Sequence, residues 1–278
     1  MTVLRSIVLA TTFMLGGVPC FAAPPAGLPD GLLASKAPAD AQDIVAAKKT
    51  AKKGDRICVR GRIGGSKSPM IDGRAAFTLV DLELPPCNAN PEDGCMRPWD
   101  YCCEPAARIA AHAATIQVVD AKGKVIRTGL EGTGGLVPLS ELVVAGTVVA
   151  TDGDKLLLIS ADAIHVDRLG TCAFPTGSAD DSVALARMAP AKTGEWMTLR
   201  GRIGGSEPFA ADFALLTLVG DDNRKVQIRV DDWKERPVGA TLEGVNGLAK
   251  GDEIVVRAQV VKDGSLPLLR AAKMWRVP

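Results

Sequence analysis

The heptapeptide RGRIGGS occupies residues 60–66 and recurs letter for letter at 200–206. An identity of seven residues at a spacing of 140 positions marks a duplicated unit, and the flanks agree with it. ADAQDIVAAKKTAKKGDRICVRGRIGGS (39–66) aligns without a gap on ADDSVALARMAPAKTGEWMTLRGRIGGS (179–206). AAFTLVD (75–81) matches ALLTLVG (214–220) one position out of step, and LEGTGGL (130–136) matches LEGVNGL (242–248). The offset has fallen from 140 to 112 by then, so the first copy carries about 28 extra residues between about 82 and 113. That insertion holds four of the chain's seven cysteines.

Each copy has the same pattern of periodicities. An Ala/Lys-rich stretch with helical spacing (around 40–52 and 180–190) leads to a Gly turn and then to short β-branched runs. These runs are ICVRGRI, AFTLVD, TIQVVDA, ELVVAGTVVA and LLLISADAIHV in the first copy. In the second they are WMTLRGRI, LLTLVG, KVQIRVD, DEIVVRAQVV and LPLLRAAKMWRV. Five alternating strands between Gly- and Asp-containing turns predict a small closed barrel, which also removes the edges such strands would expose. The expected class is therefore all-β: two tandem OB-fold-like five-stranded barrels, each preceded by a short helix. The boundaries are a Pro/Ala-rich linker over 23–38, a first domain over 39–168 with its insertion at 82–113, a linker over 169–178, and a second domain over 179–278.

The succession of helix, V-x-G-x-I, F-x-L-x-D, V-x-V and D/E-x-V-V-x-G-x-V resembles periplasmic bacterial OB-fold domains. RGRIGGS…GRAAFTLVD…C…PWDYCCEP is similar to a family of secreted bacterial proteins built on one such domain, whose activity is unassigned. The resemblance covers 39–167, and PWDYCCE (98–104) is its most specific part. It implies a fold and an exported location, and it brings no reaction with it.

Export is also readable from the first residues, MTVLRSIVLATTFMLGGVPCFAAPPAG. Arg5 precedes an apolar run too short to span a bilayer comfortably, followed by small residues and a cut after Ala22, the layout of a signal peptide over 1–22. Lipidation at Cys20 is disfavoured, because GGVPC lacks the expected Leu and small residue ahead of the cysteine. Cleavage removes Arg5 and no acid, so the formal charge falls from +1 to 0. A neutral chain with 4% aromatic residues has little general attraction for nucleic acid or anionic lipid. The expected location is the periplasm or the extracellular space, with no membrane span after cleavage.

Strand parity puts Ile57, Val59, Gly61 and Ile63 on one face and Cys58, Arg60 and Arg62 on the other. The second copy repeats this, with Met197, Leu199, Gly201 and Ile203 against Thr198, Arg200 and Arg202. Gly61 and Gly201 read as closure positions, where a Cβ would obstruct tight coiling. The sequence has neither a G-x-G-x-x-G nor a Walker pattern, and ligand contact by Arg60 and Arg62 is the alternative to a structural role.

After cleavage six cysteines remain: Cys58, Cys87, Cys95, Cys102, Cys103 and Cys172. An even number in an exported chain predicts disulfides, with 15 possible pairings. Bonding Cys102 to Cys103 needs a strained eight-membered ring. The preferred scheme pairs Cys87 and Cys95 each with one of Cys102 and Cys103, and Cys58 with Cys172. A thiolate metal site from Cys87, Cys95, Cys102 and Cys103 with His112 is the weaker alternative, because the spacing C-x7-C-x6-C-C lacks the C-x2–4-C pairs usual for zinc. EPAARIAAHA (104–113) predicts a short helix. Trp99 and Tyr101 beside the cysteines are candidates either for a recognition surface or for packing over the staples.

No catalytic signature is present. There is no G-x-S-x-G or H-E-x-x-H, and the two histidines, His112 and His165, stand in no defensible pairing. Asp81 and Asp222 at strand ends are weak ion-binding candidates. The expected function is a non-catalytic, cofactor-free binding protein of the cell envelope, taking an unidentified protein or small ligand. In that reading the first domain binds and the second supports it. Single-stranded nucleic acid or oligosaccharide on the OB face of the first domain is the alternative, weighed from fold alone.

Overall fold

A computed structural model describes residues 27–90, 93–95, 97–170, 177, 179, 181–208, 213–231 and 248–277. Residues 1–22, expected as a signal peptide, and Cys172 lie outside these, so the expected cleavage and the expected Cys58–Cys172 pairing fall on residues not described.

Period-two alternation sets the first barrel. Its elements are β1 (Gln42–Asp43), α1 (Ile44–Thr50), β2 (Arg56–Ile63), β3 (Ala76–Val80), α2 (Ala106–His112), β4 (Ala113–Gln117), β5 (Glu141–Asp152) and β6 (Leu156–Arg168). The sheet order is β1-β2-β3-β4-β6-β5, and β5 returns to pair with β2. Four of the five closing contacts are antiparallel, while β4 and β6 run parallel. This is a closed five-stranded Greek-key barrel of OB type. Val59, Ile63, Phe77, Leu79, Ile116, Val144 and Ile159 fill it, as the parity of their strands requires.

The second copy closes in the same way. β7 (Val183–Ala184) lies beside β8 (Trp196–Pro208), followed by β9 (Phe213–Val219), β10 (Lys225–Asp231), β11 (Glu253–Lys262) and β12 (Leu268–Arg276). The order is β11-β12-β10-β9-β8-β7 with β11 closing on β8, and β10 and β12 are the parallel pair. Leu199, Leu218, Ile228, Val256 and Leu269 make its core.

Two expectations change. Among the described residues, the second copy has only a three-residue 3-10 helix, Leu185–Arg187, before its barrel, where the first copy has an α-helix. Pro190 is the physical reason: it lacks an N–H and drives Ala189 out of the helical region, so the turn cannot propagate. The segment expected as a linker before the first barrel is partly built into it. Leu32 is only 1% exposed within the barrel core, and the Ala34 N–H donates to Ile164 O at 2.8 Å.

The repeated heptapeptide is where β2 and β8 bend over their neighbours. A Cβ on Gly61 would lie 2.7 Å from Val80 O and 2.8 Å from Leu79 Cγ. On Gly201 it would lie 2.8 Å from Leu218 Cγ. Two strands approach too closely at this point for any side chain, in both copies.

Candidate functional site

The insertion between β3 and β4 begins at a Pro-Pro pair and a 3-10 turn, Cys87–Ala89, and ends in α2, which starts directly after Pro105. Its middle folds back on the heptapeptide. The Gly65 N–H donates to Trp99 O at 2.8 Å, and Trp99 Nε1 donates to Lys67 O at 3.1 Å. A Cβ on Gly64 would meet Tyr101 Cε2 at 2.7 Å, so the paired glycines of RGRIGGS are also the seat of PWDY.

Trp99 and Tyr101 are 1% and 0% exposed, so both rings are packed into the fold, although Trp99 also lines a pocket of about 400 Å³ with Pro69, Met70 and Glu131. Tyr101 packs with Val80 and Leu84 as a small second core under α2. It adopts a left-handed backbone, φ +55°, which costs roughly 1–3 kcal/mol for a non-glycine residue and so must be compensated by that packing. Of the two alternatives for this pair, burial favours packing over a recognition surface.

Arg62 was expected on the barrel exterior, and the insertion covers it. Its Nη1 reaches Tyr101 Oη at 3.4 Å, and its Nη2 donates to Glu141 Oε1 at 2.8 Å. Arg168 donates to the same carboxylate. Burial opposes the charge on Glu141, yet the hydrogen bonds from Arg62 and Arg168 outweigh it and hold the carboxyl below its ordinary range. A depressed folded pKa gives stability above the unfolded value of about 4.3, lost as the pH falls through the folded value. Glu141→Gln should therefore destabilise by about 1–3 kcal/mol at pH 7 and by less at pH 3. Urea melts at the two pH values check this, and an equal loss at both would contradict it.

Arg60 pairs outward with Asp43, Nε to Oδ1 at 2.7 Å. Arg200 in the second copy is similarly engaged by Glu253 at 2.6 Å. Asp81 is buried and spends its oxygens on the N–H groups of Val45 and Glu83, so it is a backbone cap. Asp222 Oδ1 accepts from the Arg224 N–H at 3.0 Å in an exposed turn.

The rest of the insertion does not overhang the first barrel; it crosses to the second. Cys95 forms an antiparallel bridge with Lys273 of β12, and the Met274 N–H donates to Gly94 O at 3.0 Å. Asp93 pairs with the Lys273 ammonium. Gly94 has φ +59°, and a Cβ there would stand 2.2 Å from Cε2 of the Trp275 indole. Only glycine can lie flat against that ring in that conformation.

The crossing gathers the four loop cysteines. Ligand atoms of Cys87, Cys95, Asp100 and Cys102 lie within 4.8 Å of one another, and Cys95 Sγ is 3.7 Å from Cys102 Sγ. Cys87, Asp93 and Cys103 form a second such group, with Cys103 Sγ 3.3 Å from Asp93 Oδ2. No S–S bond joins any of the four in the structure. Cys95 and Cys102, one of the expected pairings, stand at 3.7 Å, beyond the roughly 2.05 Å of an S–S bond. A hydrogen bond from the Cys95 thiol lowers Cys87 to about 7, against the opposing effect of burial. Burial pushes Cys102 up to about 12. His112 stands apart, its Nδ1 2.8 Å from Arg108 O at the end of α2. Cys58 is half-buried on the exterior of β2, as its parity requires.

Between the loop and the second barrel runs a groove of about 370 Å³. Cys95, Arg97, Asp100 and Cys102 line one side, and Trp196, Asp231, Gln259 and Arg270 the other. The barrel wall is a row set by register. Trp196 pairs with Gln259, Gln259 with Arg270, Arg270 with Arg229, and Arg229 with Leu215 across five strands. Arg229 lies 4.1 Å above the Phe213 ring, and Asp231 takes ion pairs from Arg229 and Arg270. Trp196 is 56% exposed at the end of this row. The polar outward side chains on β3 and β4 of the first barrel are Thr78, Thr115 and Gln117, with no ring and no charge.

No family model matches the chain, and no curated protein matches it. Among solved structures it is similar to the OBody AM3L09 bound to hen egg-white lysozyme, at 12% identity and a TM-score of 0.28, over 36% of this chain and 96% of that one. The OBody AM1L10 bound to the same lysozyme gives 11% identity and a TM-score of 0.28, over 36% and 97%. The S. pombe Stn1-Ten1 complex gives 12% and 0.23, over 29% of this chain and 57% of that one, little more than half its length. The OB assignment of both barrels rests on their strand order and closure.

Proposed function

We propose that the protein is an exported, non-catalytic binding protein, and that the groove between the cysteine loop and the second barrel receives an exposed polypeptide segment of a partner. The supporting observation is the row that ends at exposed Trp196 and faces the loop across the groove. Large aromatic and Arg side chains are the residue types that carry binding energy at protein interfaces. The groove's charges balance: Arg97 and Arg270 against Asp100 and Asp231. A polyanion gains no net attraction from such a lining, whereas a peptide, with mixed charges and backbone amides, finds complements to both. This reading places binding between the barrels instead of on the first one.

The test uses peptides selected on the intact protein from a random library. Trp196→Ala and Arg270→Ala should each weaken the selected peptides by about tenfold or more, about 1.4 kcal/mol. Thr78→Ala and Gln117→Ala should leave affinity unchanged. Peptides indifferent to Trp196 and Arg270, or displaced by single-stranded oligonucleotide at low salt, would overturn the assignment.

A further inference from the structure

The cysteine loop carries a second chemistry that the groove reading does not require. We propose that Cys87, Cys95 and Cys102, with the Asp100 carboxylate, bind one zinc-like divalent ion at the wall of the groove. Sequence spacing argued against a metal because no two cysteines sit in a C-x2–4-C pair. The fold removes that objection by bringing three separate stretches together. Cys87 comes from the 3-10 turn, its N–H donating to Pro98 O at 3.1 Å. Cys95 comes from the bridge to Lys273, and Cys102 from a turn in which its own N–H donates to Asp100 Oδ1 at 2.9 Å.

The distances favour a shared ion. Tetrahedral zinc with sulfurs at about 2.3 Å places neighbouring sulfurs about 3.8 Å apart. Cys95 and Cys102 stand at 3.7 Å, and all four ligand atoms lie within 4.8 Å of each other. Thiolates with one carboxylate suit zinc better than the hard cations calcium or magnesium. Cys95, Asp100 and Cys102 all line the groove, which gives an ion its way in. Arg97 Nε lies 3.6 Å from Asp100 Oδ2, orienting the carboxylate and offsetting part of the negative charge of the ligand set. Binding releases the thiol protons to solvent and requires no change of oxidation state. A bound ion would fix three points of the loop at its crossing to the second barrel.

The experiment uses the full chain, reduced and freed of metal, titrated with Co2+ and then with Zn2+. One equivalent of Co2+ should give thiolate-to-cobalt charge-transfer absorption with visible ligand-field bands, and Zn2+ should displace it. Cys95→Ser should weaken Zn2+ binding by about 100-fold or more, while Cys103→Ser and Cys58→Ser leave it in place. Circular dichroism of the metal-free variants separates loss of a ligand from loss of fold. Absence of a one-to-one cobalt complex would overturn the proposal, as would unchanged affinity in Cys95→Ser. So would native protein with Cys95 and Cys102 joined as a cystine that takes up no metal after reduction. Peptide binding is read through Trp196 and Arg270, neither of them a ligand, so this proposal and the groove reading can fail separately.

Discussion

Tyr101→Ala should lower the stability of the first barrel by about 3–5 kcal/mol, among the largest single losses in the chain. The ring is fully buried, fills the small core under α2 and lies against Gly64 of the heptapeptide. Truncation removes that packing and uncovers Arg62, while the left-handed backbone strain at position 101 remains for alanine. Tyr101→Phe should cost only about 0.5–1.5 kcal/mol, since it removes the hydroxyl and keeps the ring. Urea melts of the two variants separate packing from hydrogen bonding. If Tyr101→Ala proved as mild as Tyr101→Phe, the ring would not be the keystone of the insertion.

Gly94→Val should uncouple the two barrels while leaving each folded. A side chain there collides with the Trp275 indole, and a β-branched residue is poorly tolerated at φ +59°. The loop must lift from β12, losing the Asp93–Lys273 pair and the Met274 hydrogen bond. Small-angle scattering should show a larger radius of gyration than wild type, and peptide affinity for the groove should fall by about tenfold or more, about 1.4 kcal/mol. Circular dichroism should still report the strand content of both barrels. An unchanged radius with unchanged peptide affinity would mean that the loop does not define the groove.

Both barrels were legible in the sequence because their information is local and stated twice. Ten alternating runs appear as the ten barrel strands, and the shared heptapeptide marked the closure point that Gly61 and Gly201 occupy. The helix read from Ala/Lys composition in the second copy is cut to a three-residue 3-10 helix ahead of Pro190, which carries more weight than the propensity of its neighbours. The insertion was found by subtracting one copy from the other, but its direction was not. Trp99 and Tyr101 in a Pro- and Asp-rich loop read equally as surface or as packing, and burial is settled only by Gly64, Val80 and Leu84, far off in sequence. The convergence of Cys87, Cys95 and Cys102 depends on a bridge to Lys273, 178 residues beyond Cys95. The groove wall is assembled from five strands and becomes a row only once register is known. One signal was available: parity in WMTLRGRI already put Trp196 on the outward face with Thr198 and Arg200.

The central claim is that the loop clasps the second barrel and thereby makes the groove. Amide hydrogen exchange at Met274 tests it most directly, because that N–H donates to Gly94 O across the junction and not to a strand of its own barrel. Slow exchange in the wild type, lost in Gly94→Val while Leu269 inside the same strand stays protected, is the expected result. Unprotected exchange at Met274 in the wild type would contradict the clasp and the groove with it.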